Sequence, residues 1–585
     1  MQKPVLTEPI SDAIWRERYR WTEGGHMQEP SIEASWDRVA LALSAPEAHH
    51  RDDWRERFRA ALADFRFLPA GGVLAHAGTA HQRALLNSFV LPAPEDSIQG
   101  IFNSLRETLL TLHAGAAVGL DFSTLRPAGS QAVRSGGQAS GPVSFMPVWE
   151  LAMAVLAAGQ SQRNAVLVSL RCDHPDIEAF INGHPPAGGL AQVRRCVLLT
   201  QDFMQAVQDD APWPLLFPLG EHPVPEGGEL CERNWSGRAE AQRCVVHRRL
   251  PAIQIWQQLV AAVHAGAGLS VLFVDRINQA RNFWYADPMT AASPCGQPLP
   301  AHGAYSAGAI NLSRLVQHPF SQHPHLDMGG LRALTAVAVR MLDNVYALSA
   351  FALKPQEKEA HATRPLALGV TGVADMLLML GLRYGSPASQ TLVHEALCAI
   401  RDTAYLTSIE LAQEKGPFPA FDKLRFVASP NVLNLPHELQ DGIAKYGLRN
   451  SQLLAVMPLG SVSLLANNVS SGLGPVTAFS TTRQWHAADG SATALAVHDP
   501  ALLLHQQLIG PATPMPAYFV TAAQVPAQDQ LHMQATVQSV VDGAVAQPVY
   551  LPANADLAAV EQVLLSAWHL GLKACTVVRE SGPAS

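Results

Sequence analysis

Cys295 is the side chain best placed for chemistry in this sequence. It lies in SPCGQPLPAHGAYSAGAINL (293–312), between Pro294 and Gly296. Proline fixes φ and glycine admits unusual dihedrals, so a Pro-Cys-Gly turn displays a thiol on a bent backbone. The nearest carboxylate is Asp287, eight residues upstream, so no acid or base stands directly beside the thiol in sequence. The plainer alternative is a small apolar side chain buried in a turn.

Three other segments carry weaker signals. MPLGSVSLLANNVSSGLGP (457–475) reads as a strand entering Pro-x-Gly-Ser-x-Ser and then a helix, where free N–H groups and hydroxyls could cradle a phosphate. The same pattern also describes an ordinary capped helix. HAGAAVGLDFSTLRPAGS (113–130) packs small residues that permit close approach of a ligand or of a neighbouring backbone. LRCDHPDIEAFI (170–181) offers Asp173, His174 and Asp176, but no further ligand follows at helical spacing. A helix start with Pro175 at its first position and Asp176 in the first turn explains it better.

These residues need a framework. Residues 10–65 read as helical, so the expected organisation is a small N-terminal helical region over 1–65 and one large domain over 66–585. From about residue 66 short β-type runs alternate with longer helical ones. NSFVL (87–91), AVLVSL (165–170), CVLLT (196–200), LSVLFV (269–274), LLAVMP (453–458) and AYFVT (517–521) are expected strands. PDIEAFI and LRALTAVAVRMLDNVYALSAF are expected helices. Strands alternating with helices give an α/β fold with a largely buried sheet. The Pro-rich stretch 214–243 reads as an irregular insertion loop.

The bulk properties narrow the function. The chain has 585 residues, 48% of them hydrophobic and 15% charged, which suits a sizeable core rather than disorder. A formal charge of -8 disfavours a nucleic acid polymer as partner. The N-terminal residues lack an apolar signal region, and no run reaches the ~18 apolar residues of a membrane span. The best candidate, 259–274, contains His264 and two glycines. Seven scattered cysteines without Cys-x-x-Cys fit a reducing cytoplasm.

Taken together, these segments resemble adenosylcobalamin-dependent (class II) ribonucleotide reductases. The resemblance is colinear over most of the chain. It runs through NSFVLPAPEDSIQGIF, GAAVGLDFSTLRP, SGPVSFMPVWE, HPDIEAFI, TRPLALGVTGVADMLLMLGLRYGS, GPFPAFD, PLGSVSLLANNVSSGLGP, YFVTAAQV and AWHLGLKACTVVR. It implies a ten-stranded α/β barrel with a central finger loop at about 289–300, following the small N-terminal helical region. It implies adenosylcobalamin as cofactor, a ribonucleotide as substrate and ribonucleotide reduction as activity. Relatives are often homodimers. By the resemblance Cys295 matches the thiyl-radical cysteine, and substrate contacts come from Asn87, Ser88, Gly115, Ala116, Ser293, Pro458, Gly460, Ser461 and Ser463.

The chain departs from the family pattern at the chemistry. Family Asn-Pro-Cys-Gly-Glu is here Ser293-Pro294-Cys295-Gly296-Gln297, where Gln297 replaces the Glu or follows a one-residue deletion. Gln cannot act as a general base at neutral pH. Ser88 and Tyr305 stand where the family has its two reducing cysteines. Cys196, on an expected barrel strand, is a conceivable substitute thiol or simply an apolar filler. Three readings stay open: ribonucleotide reduction, a cobalamin-dependent radical enzyme with another substrate, and a catalytically silent nucleotide- or cobalamin-binding paralogue.

Overall fold

Strands buried on both faces give the chain its main sheet. In the computed structural model, which describes residues 5–81, 83–132, 136–157, 165–183, 193–220, 228–238, 240–486 and 492–579, Ser88–Val90, Ala117–Asp121, Val166–Arg171, Val193–Leu199 and Leu269–Phe273 pair in that order, all parallel. Ala574–Cys575 adds antiparallel to Leu269–Phe273. Every residue of Val166–Arg171 is buried, as expected when helices cover a parallel sheet. Helices Ile98–His113, Met146–Ala157, Ile177–Asn182, Gln201–Gln208 and Ala252–His264 lie between successive strands in the chain. This sheet belongs to one compact unit, Ser88–Gly303 with Pro552–Ser585.

The other unit comprises Met1–Asn87 and Ala304–Leu551. Its N-terminal part is helical, and Ile32–Ser44 packs on Arg51–Leu62. Its sheet holds Ser306–Asn311 between Phe67–Pro69, antiparallel, and Leu366–Thr371, parallel. Single bridges from Leu368 to Leu454 and from Val456 to Val545 continue the same direction. The long helices Met328–Leu348 and Pro387–Lys415 pack together. Charge ties the N-terminal helices to them. Glu47 accepts from Arg340 at 2.8 Å, from Asn344 at 2.7 Å and from Lys415 at 3.2 Å.

Several expectations change. LLAVMP (453–458) forms bridges rather than a strand, and AYFVT (517–521) is not a strand. Pro516 precedes that second segment and its carbonyl accepts Phe519 N–H at 3.0 Å, so the chain turns there. Stretch 214–243 is not irregular over its described residues. Pro212–Pro218, Leu230–Asn234 and Ala241–Pro251 make an antiparallel sheet with Ala241–Pro251 in the centre. The prolines misled because Pro212–Pro218 is an edge strand, where a missing N–H is tolerated. Segment 259–274 divides into a helix end and a strand, and among the described residues no helix is long and apolar enough to cross a membrane.

Candidate functional site

Cys295 sits at the tip of a β-hairpin. Ala291–Ala292 pairs antiparallel with Pro298–Leu299, and Ser293 N–H reaches Gln297 C=O at 2.8 Å. Gly296 N–H closes the turn on Ser293 C=O at 2.8 Å, and Gly296 takes φ 83°. A tight turn followed by a left-handed glycine is the common three-residue hairpin loop, so Pro294, Cys295 and Gly296 are each used for their backbone preferences. Ser293 and Gln297 are buried, whereas Cys295 is half-buried.

The sheet holds this finger from below. Ala292 packs into a cluster with Leu167, Cys196, Leu198 and Leu272, and Met289 packs against the same cluster. At Gly119 the approach is closest: a Cβ there would lie 2.1 Å from Ala292 O. The small residues of 113–121 therefore serve a neighbouring backbone, one of the two roles open to them. Gly115 and Ala116 do a second job. Their N–H groups bond Leu112 O and Thr111 O, which ends helix Ile98–His113 with glycine at φ 97°.

Ser88 comes nearest in chemical interest. It begins its strand fully buried, and its Oγ lies 3.9 Å from Cys295 Sγ. Cys196 faces the finger as strand alternation requires, but it is a core residue. Burial pushes its thiol up to about 12, so it is not a ready thiolate. Asp121 shares the face of Gly119 and is also buried, which raises its carboxyl; hydrogen bonds from Ser123 partly offset this.

The remaining expected residues belong to the other unit. Asn87 Oδ1 accepts Gly72 N–H at 3.0 Å. Tyr305 is fully buried just before Ser306–Asn311. Pro458 leads into Leu459, whose N–H bonds Ser471 Oγ at 2.9 Å; Gly460 has φ 55°, and Ser461–Leu465 is a single helical turn. No strand precedes it. Both candidate hydroxyls already have protein partners. Ser463 Oγ donates to Gly460 O at 2.9 Å, and Ser461 Oγ lies 2.7 Å from Tyr19 OH. Burial raises the Tyr19 phenol, while the Ser461 hydrogen bond lowers it.

Asp173, His174 and Asp176 form no metal cluster among the described residues. Asp173 holds Arg171 with two bonds, at 2.8 and 2.7 Å. His174 Nε2 bonds Leu125 O at 2.9 Å, and burial lowers its pKa to about 4. The helix begins at Ile177, so Pro175 lies outside it and Asp176 stands at the N-cap position, where its carboxylate accepts Ala128 N–H at 3.0 Å rather than a helix N–H.

Sequence reasoning missed two residues. Tyr19 carried no local signal. Arg194 did, because the strand starts at Val193 rather than Cys196, and alternation puts Arg194 on the same sheet face as Cys196, though exposed at the strand's start.

Comparison with known proteins covers nearly the whole chain. The family described as "Ribonucleotide reductase, barrel domain" matches residues 87–578, and "Ribonucleotide reductase, all-alpha domain" matches residues 7–82. The Vitamin B12-dependent ribonucleoside-diphosphate reductase of Mycobacterium tuberculosis is 31% identical, over 97% of this chain and 78% of that protein. The protein of the same name from Thermoplasma acidophilum is 27% identical, over 98% and 70%. A Ribonucleoside-diphosphate reductase large subunit of variola virus is 25% identical, over 70% and 55%.

Proposed function

Because the chain belongs to the ribonucleotide reductase family, we propose that it is a cobalamin-dependent radical protein in which Cys295 is the hydrogen-transfer thiol and a ribonucleotide is the reference substrate. The observation that carries this reading is the finger hairpin, which holds Cys295 half-buried at its tip with Ser88 Oγ at 3.9 Å. A half-buried thiol on a short rigid loop remains approachable, which suits a radical-generating group docked near it. Adenosylcobalamin, when bound, supplies that homolytic chemistry.

The chain's own residues then set the course of the reaction. The Cys295 sulfur removes a hydrogen atom from a substrate carbon and can return it afterwards. Asn87, Ser88, Gly115, Ala116, Ser293 and the loop carrying Pro458, Gly460, Ser461 and Ser463 are the substrate contacts that the resemblance assigns. Reduction of a ribose also needs an electron pair and a base. Ser88 and Tyr305 offer hydroxyls where the resemblance expects thiols, and hydroxyls cannot close a disulfide. Gln297 is no proton acceptor at neutral pH. The hydroxyl at 3.9 Å from the thiol favours a second reading, redox-neutral radical chemistry. The substrate would lose a hydrogen atom to sulfur, rearrange or eliminate, and regain one from sulfur, so no electron pair is consumed.

The test uses purified protein with adenosylcobalamin and each ribonucleotide, with and without dithiothreitol. Deoxynucleotide formation that requires dithiothreitol and disappears in Cys295→Ala would establish reduction. A cobalt(II)–thiyl paramagnetic signal without deoxynucleotide would favour the redox-neutral reading. Absence of cobalamin binding would leave only a silent paralogue.

A homodimer is also proposed. Ile98 and Phe102 on helix Ile98–His113, and Leu151 and Val155 on helix Met146–Ala157, are large exposed apolar residues on two helices that pack together. Exposed apolar side chains gathered on two packed helices favour an interface with a second copy. Leu151→Glu with Val155→Glu should convert a dimer to a monomer in light-scattering chromatography. A wild-type monomer would dismiss the proposal. Seven scattered cysteines without a Cys-x-x-Cys pair favour a reducing cytoplasm as the setting.

A further inference from the structure

Arg194 is the charged side chain that reaches the finger tip. It lies opposite Leu167 in the sheet, and both Leu167 and Cys196, two residues further along its own strand, pack on Ala292 of the finger. Alternation therefore aims Arg194 at the finger, while Arg195 turns to the other face and bonds the carbonyls of Ile181 and Ala267. The Arg194 Nη1 is 3.5 Å from Pro294 O, the carbonyl of the peptide bond that leads into Cys295. That bond is long, and the side chain is exposed. Among the described residues the guanidinium makes that contact and no ion pair. Arg171 on the neighbouring strand shows the contrast, with Asp173 on two of its nitrogens.

A guanidinium offers five N–H donors in a planar fork that matches the two oxygens of a carboxylate or phosphate. Ser88 and Gln297, the polar side chains beside Cys295, are neutral, and Asp121, the carboxyl that acts on Cys196, is buried with its pKa raised. We propose that Arg194 forms an oxyanion subsite beside Cys295. The substrate would then carry a carboxylate or phosphate within one side chain's reach of the carbon that gives up its hydrogen atom. This rests on the reading that Cys295 is the reactive thiol, and it names the class of molecule that thiol acts on.

The test needs neither cobalamin nor a known substrate. Alkylation of Cys295 in the full chain is followed by peptide mass spectrometry with iodoacetate, which is anionic, and iodoacetamide, which is neutral. The iodoacetate-to-iodoacetamide rate ratio should fall roughly threefold in Arg194→Gln, the factor that a unit charge about 6 Å away gives in a water-like medium. The ratio should be largely kept in Arg194→Lys and unchanged at Cys398, which is on another helix, Pro387–Lys415. Millimolar phosphate or malonate should slow iodoacetate at Cys295 in the wild type but not in Arg194→Gln. Protection by phosphate alone points to a phosphate ester, and by malonate alone to a carboxylate. Equal ratios in wild type and Arg194→Gln, with no protection, would overturn the proposal. If Cys295 resists both reagents, thermal stabilisation by either anion is compared instead, and a gain that survives Arg194→Gln overturns it. Failure to bind cobalamin would sink the radical function while leaving these ratios intact.

Discussion

Gly119→Ala should disturb the site without touching a reactive group. A methyl at this position would lie 2.1 Å from Ala292 O and 2.8 Å from Ala292 C. Carbon and carbonyl oxygen settle at about 3.3 Å or more, so the hairpin must retreat by roughly 1.2 Å or the strand must bow. Overpacking of this kind costs ~2 kcal/mol, which lowers Tm by roughly 4–8 °C in a domain of this size. The functional loss should be larger than the stability loss. Cys295 rides on the displaced hairpin, and a shift of ~1 Å at a reacting atom can cost ~100-fold in rate. Differential scanning fluorimetry measures the first effect. Iodoacetamide alkylation of Cys295 measures the second, since a retreating tip changes its exposure. Gly137→Ala is the control, because no atom lies within 4 Å of a Cβ there and its φ is ordinary. Should Gly119→Ala match Gly137→Ala in Tm and in alkylation rate, the finger does not dock as described.

Three further outcomes are expected. Burial pushes Glu47 up, but hydrogen bonds from Arg340 and Asn344 and the charge of Lys415 outweigh it and hold the carboxyl at about 2. A depressed folded-state pKa means that its stabilisation is complete above about 4.5 and lost as pH falls toward 2. Acid titration of Tm should show that limb, and Glu47→Gln should flatten it while costing roughly 3 kcal/mol at neutral pH. Tyr19→Phe removes the bond to Ser461, about 1 kcal/mol, so peptides spanning 459–466 should exchange amide hydrogens faster, and unchanged exchange would show the bond to be idle. Cys231 and Cys244 stand directly opposite on antiparallel strands, at a Cα separation of about 5.5 Å for a hydrogen-bonded pair. A disulfide oxidant should link them, slowly because burial raises Cys244 to about 12, and a peptide map showing either thiol linked elsewhere would contradict the register.

Much of the fold could be read from local pattern, and much of the site could not. Strands such as AVLVSL and LSVLFV were legible because aliphatic runs bounded by turn residues have few other uses in an α/β chain. Segment 214–243 was not, since proline marks an edge strand and an irregular loop alike. The displayed thiol was visible in Pro294-Cys295-Gly296, because hairpin loops depend on local dihedrals. Its neighbours were not. Ser88 and Cys295 are 207 positions apart, and only pairing through the sheet brings their side chains to 3.9 Å. That distance gives the substituted residues their meaning. A serine elsewhere would say nothing about electrons, but Ser88 stands, by the resemblance, at one of the two positions expected to close the reducing disulfide, and it does so beside the thiol. The same reasoning applies to Arg194. As one more surface cation it would be unremarkable, yet strand alternation puts it at the carbonyl before Cys295, where a positive charge selects which molecules come within reach of the sulfur. On the proposed reading, the thiol, the hydroxyl and the guanidinium would act together in hydrogen-atom exchange with an anionic substrate.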